Sequence, residues 1–436
     1  MTGEAASDPE RRRHLRRAVL ASAIGTAVEW YDFFLYGIAA ALVFPRMFFP
    51  THDRYTGVLL SFTTYFVGFA ARPIGAAIFG HVGDRLGRKA SLITTLVLMG
   101  MSTAGIGLIP GYDVIGIGGG ILLTLGRVLQ GIAVGGEWGG SVLLAAEWSQ
   151  NQRRGLAASW PQWGAPAGLL LANGAVALTA LAFGDDVLAT WSWRVPFLAS
   201  IVLVGTGLWI RRGVHEPPVF ARVRAAREVE RAPVREVIRK HRREVALTAL
   251  LRTGQQAPFY VFTTWVLTYA TGQLHYERTD IVTAGLVAAA VSMVTIPLCG
   301  YLSDRAGRRR VILVGCLLMI GWPFLYFHLL ETGSEVIVFA AIVIALPIHD
   351  LQYGPQAAMI AESFPARVRY TGSSLGYQLA SVTAGGPAPL IATWLMHRYG
   401  SSTAVAIYLA VCAAISLVSC LLLRDRQARD FSRHDD

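Results

Sequence analysis

Apolar stretches of about 20 residues recur along the chain, near 18–43, 56–82, 90–109, 114–145, 156–182, 194–211, 244–271, 281–302, 311–330, 336–358, 372–396 and 403–423. As a helix, each is long enough to cross the roughly 30 Å hydrocarbon core of a bilayer. The pattern therefore predicts an all-α polytopic membrane protein of twelve transmembrane helices, with both termini on one side. The one long polar segment, 212–243, falls near mid-chain. It divides the chain into an N-terminal tail 1–17, a six-helix half 18–211, a linker 212–243, a second six-helix half 244–424 and a C-terminal tail 425–436.

Composition agrees. Of 436 residues, 53% are apolar and 15% charged, against roughly 25% charged in soluble domains. The net charge of +11 would suit nucleic acid in a soluble protein, but it is distributed by side. Thirty-one of the 39 Lys and Arg residues fall in the tails, the linker and alternate connections. This is the bias of cytoplasmic loops, so both termini are expected in the cytoplasm of a cell inner-membrane protein and no nucleic-acid partner is expected. The two lysines, Lys89 and Lys240, each follow Arg, so no Gly-Lys-Ser/Thr phosphate loop exists. Cys299, Cys316, Cys412 and Cys420 lie in apolar runs without a C-x-x-C, so they read as small buried hydrophobes with no metal site. The basic N-terminus followed by an apolar run looks like a secretion signal, but Glu29 and Asp32 interrupt that run, so it reads as a retained helix.

An internal repeat joins the halves. GHVGDRLGRK from Gly80 recurs as GYLSDRAGRRR from Gly300, and Glu147 and Gly155 are echoed by Glu362 and Gly372. Parallel repeats of this kind recur in secondary transporters, with the substrate site near midplane between them. The repeated element (Gly80, Asp84, Arg85, Gly87, Arg88, Lys89; Gly300, Asp304, Arg305, Gly307, Arg308, Arg309) reads as a cytoplasmic gating latch. Its glycines permit close approach, and each Asp can cap the following helix or bind a neighbouring helix terminus.

Charges inside the spans are the candidate chemistry. Glu29 and Asp32 share one face of the first helix, Glu29 about 17 Å from its start. Either can carry a proton, or both can sit in a static ion pair with Arg72 or Arg127. Arg127 in the fourth span can meet those carboxylates or a substrate carboxylate. Glu137, among Gly135, Gly136, Gly139 and Gly140, is a further proton-coupling or inner-gate candidate. In the second half Arg252 can anchor a carboxylate, or simply pair with Asp350. Gln256, Trp163, Tyr377 and Gln378 complete the substrate-binding candidates, and GAPAG at 164–168 suits helix rocking. Gly372–Gly376 spells the G-x-S-x-G of hydrolases, but a charged loop rather than a strand precedes it, so no enzyme is expected.

The strings EWYDFFLYG from Glu29, RPIGAAIFGHVGDRLGRK from Arg72, RVLQGIAVGGEWGG from Arg127, WRVPF from Trp193 and YGPQAAMIAESFPARVRYTG from Tyr353 resemble the metabolite:H+ symporter family of the major facilitator superfamily. Arg127 and Gln130 resemble the R-x-x-Q-G element of its proton-coupled members. His349-Asp350 and YQLAS from Tyr377 look closest to the shikimate-transporter-like branch. The resemblance implies a major facilitator fold working by alternating access. It further implies proton-coupled uptake of a small metabolite such as shikimate or a dicarboxylate, with no cofactor beyond the proton gradient, by a monomer in the lipid bilayer. Drug or metabolite efflux by antiport and a non-transporting metabolite sensor are the alternatives.

Overall fold

The structure, a computed structural model, describes residues 8–50, 54–149, 153–184, 191–213 and 232–425. Residues 1–7 of the expected N-terminal tail, 214–231 of the expected linker and 426–436 of the expected C-terminal tail lie outside the described residues. Twelve long helices follow one another among those described: α1 (Asp8–Leu42), α2 (Arg54–Leu86), α3 (Arg88–Leu108), α4 (Gly118–Trp148), α5 (Arg154–Phe183), α6 (Arg194–Arg212), α7, α8 (Arg278–Ala306), α9 (Arg308–Leu330), α10 (Glu335–Glu362), α11 and α12 (Ser402–Leu422). Helix α7 runs as Arg242–Tyr260, a π-helical turn Val261–Trp265 and Val266–Gly272. Helix α11 runs as Arg369–Ala380, a π turn Ser381–Gly385 and Ala388–Tyr399.

The shortest uninterrupted span sets the scale: α6 has 19 residues, about 28 Å of helix, close to the roughly 30 Å of the hydrocarbon core. By length and composition eleven of the described helices can cross a membrane. Helix α7 falls short because Arg242, Arg243, Glu244, Arg252, Gln255 and Gln256 load its first half. Two segment expectations shift. Helix α1 starts at Asp8, inside the expected tail, and the short helix Pro233–Lys240 occupies part of the expected linker.

Packing follows one plan twice. In the first six helices α1 lies along α5, α2 along α4 and α3 along α6; in the last six α7 lies along α11, α8 along α10 and α9 along α12. The two groups meet where α5 touches α8 and α10, and where α11 touches α2 and α4. Polarity is arranged for a lipid solvent. Met101, Leu181, Trp209, Val294 and Val336 face outward, while Glu29, Asp32, Arg72, Arg127, Glu137, Arg252 and Asp350 are buried. With no water in the hydrocarbon, such groups are tolerated only inside the bundle.

Candidate functional site

At the end of the bundle where α1 starts and α12 finishes, here the basic end, two carboxylates cross between the helix groups. Asp84, at the end of α2, accepts from the backbone N–H groups of Tyr370 (3.2 Å) and Thr371 (2.9 Å) and from the Thr371 hydroxyl (2.8 Å), all at the start of α11. Asp304, at the end of α8, accepts from the N–H groups of Gly155 (2.8 Å) and Leu156 (2.9 Å) at the start of α5. Unpaired N–H groups at a helix start are positive, so each carboxylate stabilises the other group's helix terminus rather than capping the helix after its own loop. Arg88 and Arg308, four residues on, hold Asp84 and Asp304 at 3.0 Å each. Arg88 also reaches Glu147 (3.4 Å), which Arg369 of the other group binds at 3.2 Å; Arg308 also binds Glu362 (2.7 Å), which Arg154 of the first group binds at 2.8 Å.

The glycines of the repeat make this crossing possible. A Cβ on Gly80 would lie 2.8 Å from the Thr371 Cα, and one on Gly300 2.5 Å from the Ser159 Oγ. Gly87 and Gly307 take φ of 118° and 97°, the left-handed region that favours glycine, to turn the chain between helices. The outer cations of the repeat stay within their own six-helix group. Arg85 lies 3.3 Å from His81, Lys89 donates to the Arg212 carbonyl (2.8 Å), Arg305 covers the Tyr301 ring and Arg309 bonds the Leu421 carbonyl.

Deeper in the bundle an aromatic floor joins the groups. Trp138 of α4 stacks on Tyr377 of α11 (ring centroids 3.5 Å apart), and Arg252 of α7 lies 3.1 Å over the other face of the same ring. Trp138 donates to Gln162 of α5 (2.7 Å), whose amide reaches the Tyr353 carbonyl of α10 (3.3 Å). Gln378 donates to the Val134 carbonyl (3.3 Å), again across the groups. Farther from the basic end, a roof forms as Trp30 meets Phe259 (5.7 Å) and Phe33 and Phe69 meet Tyr260 (6.0 and 5.6 Å).

Between floor and roof lies the charged layer. Glu29, Asp32, Arg72, Arg127, Gln130 and Phe33 line one narrow cavity of about 10 Å³, room for about one water. Arg127 donates to Gln130 (3.1 Å), Gln130 to Thr103 (2.6 Å) and Thr103 to Asp32 (2.7 Å), so cation and carboxylate communicate through two neutral side chains. The Arg127 guanidinium is caged by the rings of Tyr36 (4.2 Å) and Tyr65 (4.9 Å), and Arg72 lies over Phe69 (4.4 Å). Glu29 is 4% exposed, and no cation comes within ion-pair distance of it among the described residues.

Several sequence expectations change. Neither Glu29 nor Asp32 forms a salt bridge with Arg72 or Arg127. Arg252 does not pair with Asp350: it donates to the Tyr377 carbonyl (2.7 Å) and the Ser381 hydroxyl (3.0 Å). Asp350 instead accepts from Ser292 (2.7 Å) and Thr295 and faces His349 (2.9 Å). Glu137 forms a buried ion pair with Arg211 of α6, supported by Thr95 (2.8 Å) and Ser141 (3.0 Å); both partners belong to the first six helices, so it bridges no gate. Arg211, the last residue of the expected N-terminal half, is thereby inside the protein. Gln256 packs beside Gly385, while half-buried Trp163 pairs with Trp160 (6.3 Å) away from the charged layer's bonds.

Sequence reasoning missed Tyr260, Gln255, Gln162, Arg154 and Arg369. The last two carried a signal: each follows a Glu of the second echo, Glu147 or Glu362, by seven residues.

A buried polar layer enclosed between two pseudo-repeated helix groups is the arrangement of secondary transporters. The Major Facilitator Superfamily model matches residues 23–388. An inner membrane metabolite transport protein of Escherichia coli (strain K12) is 40% identical over 414 residues, covering 94% of both chains. The shikimate transporter of the same organism is 42% identical over 416 residues (94% of this chain, 95% of that one), and the proline/betaine transporter of Salmonella typhimurium 31% over 425 residues (95% and 84%). A proton:xylose symporter bound to 6-bromo-6-deoxy-D-glucose shares the fold, with a TM-score of 0.78 at 16% identity over 94% of this chain and 95% of that one. The chain belongs to the major facilitator superfamily, among its metabolite transporters.

Proposed function

We propose that the protein is a proton-coupled symporter that takes up a small carboxylate metabolite across the inner membrane, with both termini in the cytoplasm. The observation that carries this reading is the pair Glu29 and Asp32, both buried, sharing a cavity with Arg72 and Arg127 but forming no ion pair with either. A buried carboxylate without a counter-ion is least costly when a proton neutralises it. An uncommitted arginine fork nearby offers a second compensation, which is to receive a carboxylate from outside. A proton on the helix α1 pair and an anion on the arginines are thus mutually favourable, which is the requirement for symport. The names of the shikimate and metabolite transporters support a small-metabolite cargo.

The distribution of Lys and Arg supports a cytoplasmic basic end. The Asp84 and Asp304 bonds then hold the cytoplasmic side shut, and inward opening requires releasing both from the facing helix termini. Loading at the midplane biases that equilibrium by its differential affinity for the two states. The test is uptake into proteoliposomes of shikimate, citrate, α-ketoglutarate and glycine betaine, with an imposed pH gradient, an imposed sodium gradient or neither. Accumulation of a carboxylate driven by the pH gradient and abolished by a protonophore is expected. Accumulation driven only by sodium, or of glycine betaine alone, contradicts the reading.

A further inference from the structure

The α7 wall of the charged layer holds polar atoms that the protein itself leaves unbonded. Among the described residues, Gln255 Oε1, Gln256 Oε1 and the Tyr260 hydroxyl have no hydrogen-bond partner, although their residues are only 2%, 1% and 2% exposed. Gln256 and Tyr260 lie one turn apart, Arg252 one turn before Gln256, so the three form a stripe along one face of α7. That stripe reaches Tyr377 and Gly385 of α11 at one side, and Phe33 and Phe69 of the first helix group at the other.

The polarity of Gln255 is set by its neighbours. Asp350 already accepts from Ser292 and Thr295, and its other oxygen lies 2.9 Å from His349 Nδ1. With Nδ1 turned to that carboxylate, Nε2 is the ring nitrogen left for Gln255, whose amide nitrogen can only donate. The amide nitrogen of Gln255 lies 2.6 Å from that Nε2 and donates to it. Its carbonyl oxygen is therefore the atom left over. Cys299 of α8, Tyr353 of α10 and Phe259 of α7 also lie around the dyad, and among the described residues no arginine or lysine bonds to it.

We propose that this wall selects substrates bearing hydrogen-bond donors, so that the carboxylate cargo is a hydroxy acid: its carboxylate goes to the arginines, and its hydroxyl groups donate to Gln255 and Gln256. The His349–Asp350 dyad is a positioning pair that keeps Gln255 presenting an acceptor. The inference rests on the carboxylate reading above and narrows it. Beyond its carboxylates a keto acid brings only a further acceptor, and a fully methylated betaine has no donor, so both leave the two carbonyl oxygens unpaired on binding. Sites that hydrogen-bond a hydroxyl reject analogues lacking it more strongly than apolar pockets reject a missing methylene.

The experiment is equilibrium binding to the full chain in lipid nanodiscs, read by tryptophan fluorescence. The probes are shikimate, quinate and citrate as hydroxy acids, 1-cyclohexenecarboxylate as a ring carboxylate without hydroxyls, α-ketoglutarate, and glycine betaine. At least one hydroxy acid is expected to bind, about ten-fold or more tighter than 1-cyclohexenecarboxylate and α-ketoglutarate. Gln256→Leu, with Gln255→Leu as an independent second variant, is expected to shrink that ratio toward one while leaving 1-cyclohexenecarboxylate affinity unchanged within about two-fold. Asp350→Asn is expected to reduce the same ratio, whereas a merely structural role would weaken all carboxylates together. Equal or tighter binding of 1-cyclohexenecarboxylate or α-ketoglutarate, or failure of all three hydroxy acids to bind, overturns the hydroxyl selection and leaves the carboxylate reading standing if either of those two binds. Binding of glycine betaine alone overturns both.

Discussion

Replacing Asp84 by Asn should loosen the basic-end lock by an amount the geometry sets. The carboxylate accepts two backbone N–H bonds and one hydroxyl bond from the start of α11 and an ion pair from Arg88. Asparagine keeps one acceptor oxygen, turns an NH2 group toward donors, and loses the charge that the helix terminus favours. Bonds to charged groups are worth roughly 1.5–3 kcal/mol each, so losing the equivalent of one or two weakens the closed arrangement by about 3 kcal/mol. That corresponds to a shift of about 100-fold in the closed-to-open ratio. Ser374 of α11 is buried between the groups, close enough to Gly139 that a side chain there would collide with it. In a background with Cys299, Cys316, Cys412 and Cys420 replaced by Ala, a Ser374→Cys reporter should react with a membrane-impermeant maleimide at least ten-fold faster when Asp84→Asn is added. An unchanged rate, in protein of unchanged melting temperature, would refute the assignment of Asp84 as a lock between the groups.

Asp304→Asn, at the pseudo-equivalent position, should accelerate the same labelling, because only one of the Gly155 and Leu156 N–H groups keeps an acceptor and the charge facing the helix terminus is lost. Gly300→Val should block closure outright, since its Cβ would meet Ser159 Oγ at 2.5 Å; fast labelling together with loss of substrate exchange is the expected signature. Arg211→Ala leaves Glu137 buried without its cation, a change that costs about 3–5 kcal/mol in comparable pairs. A clear fall in melting temperature is expected, partly restored in the Glu137→Gln/Arg211→Gln double variant.

The fold was legible because a bilayer imposes its thickness on the sequence: apolar runs of about 20 residues count helices directly. The repeat of GHVGDRLGRK in GYLSDRAGRRR located both carboxylate contacts between the helix groups, since a device that serves two pseudo-equivalent loops leaves its spelling in each. The partners of those residues were less legible. That Asp84 would bind Tyr370 and Thr371, more than 280 positions away, depends on how the helix groups approach, which no local spacing encodes. Pairings inside the membrane were misjudged for a related reason. Opposite charges such as Arg252 and Asp350 look complementary in sequence, yet Arg252 turns to a carbonyl, a hydroxyl and an aromatic face, and Asp350 to two hydroxyls and an imidazole. Neutral partners of this kind are too common in sequence to single out. The π turns in α7 and α11 also leave no apolar period to detect, so both helices looked continuous.

The central claim, that the Glu29–Asp32 pair carries the coupling proton, is tested most directly by comparing two modes of transport in one preparation. Proteoliposomes containing the Glu29→Gln/Asp32→Asn double variant would be assayed for counterflow, exchange of internal for external substrate without a gradient, and for accumulation driven by a pH gradient. Radiolabelled shikimate, or whichever carboxylate the parent protein accumulates, is the probe. The account predicts that counterflow persists while gradient-driven accumulation collapses to equilibration. Full, protonophore-sensitive accumulation by the double variant would contradict it.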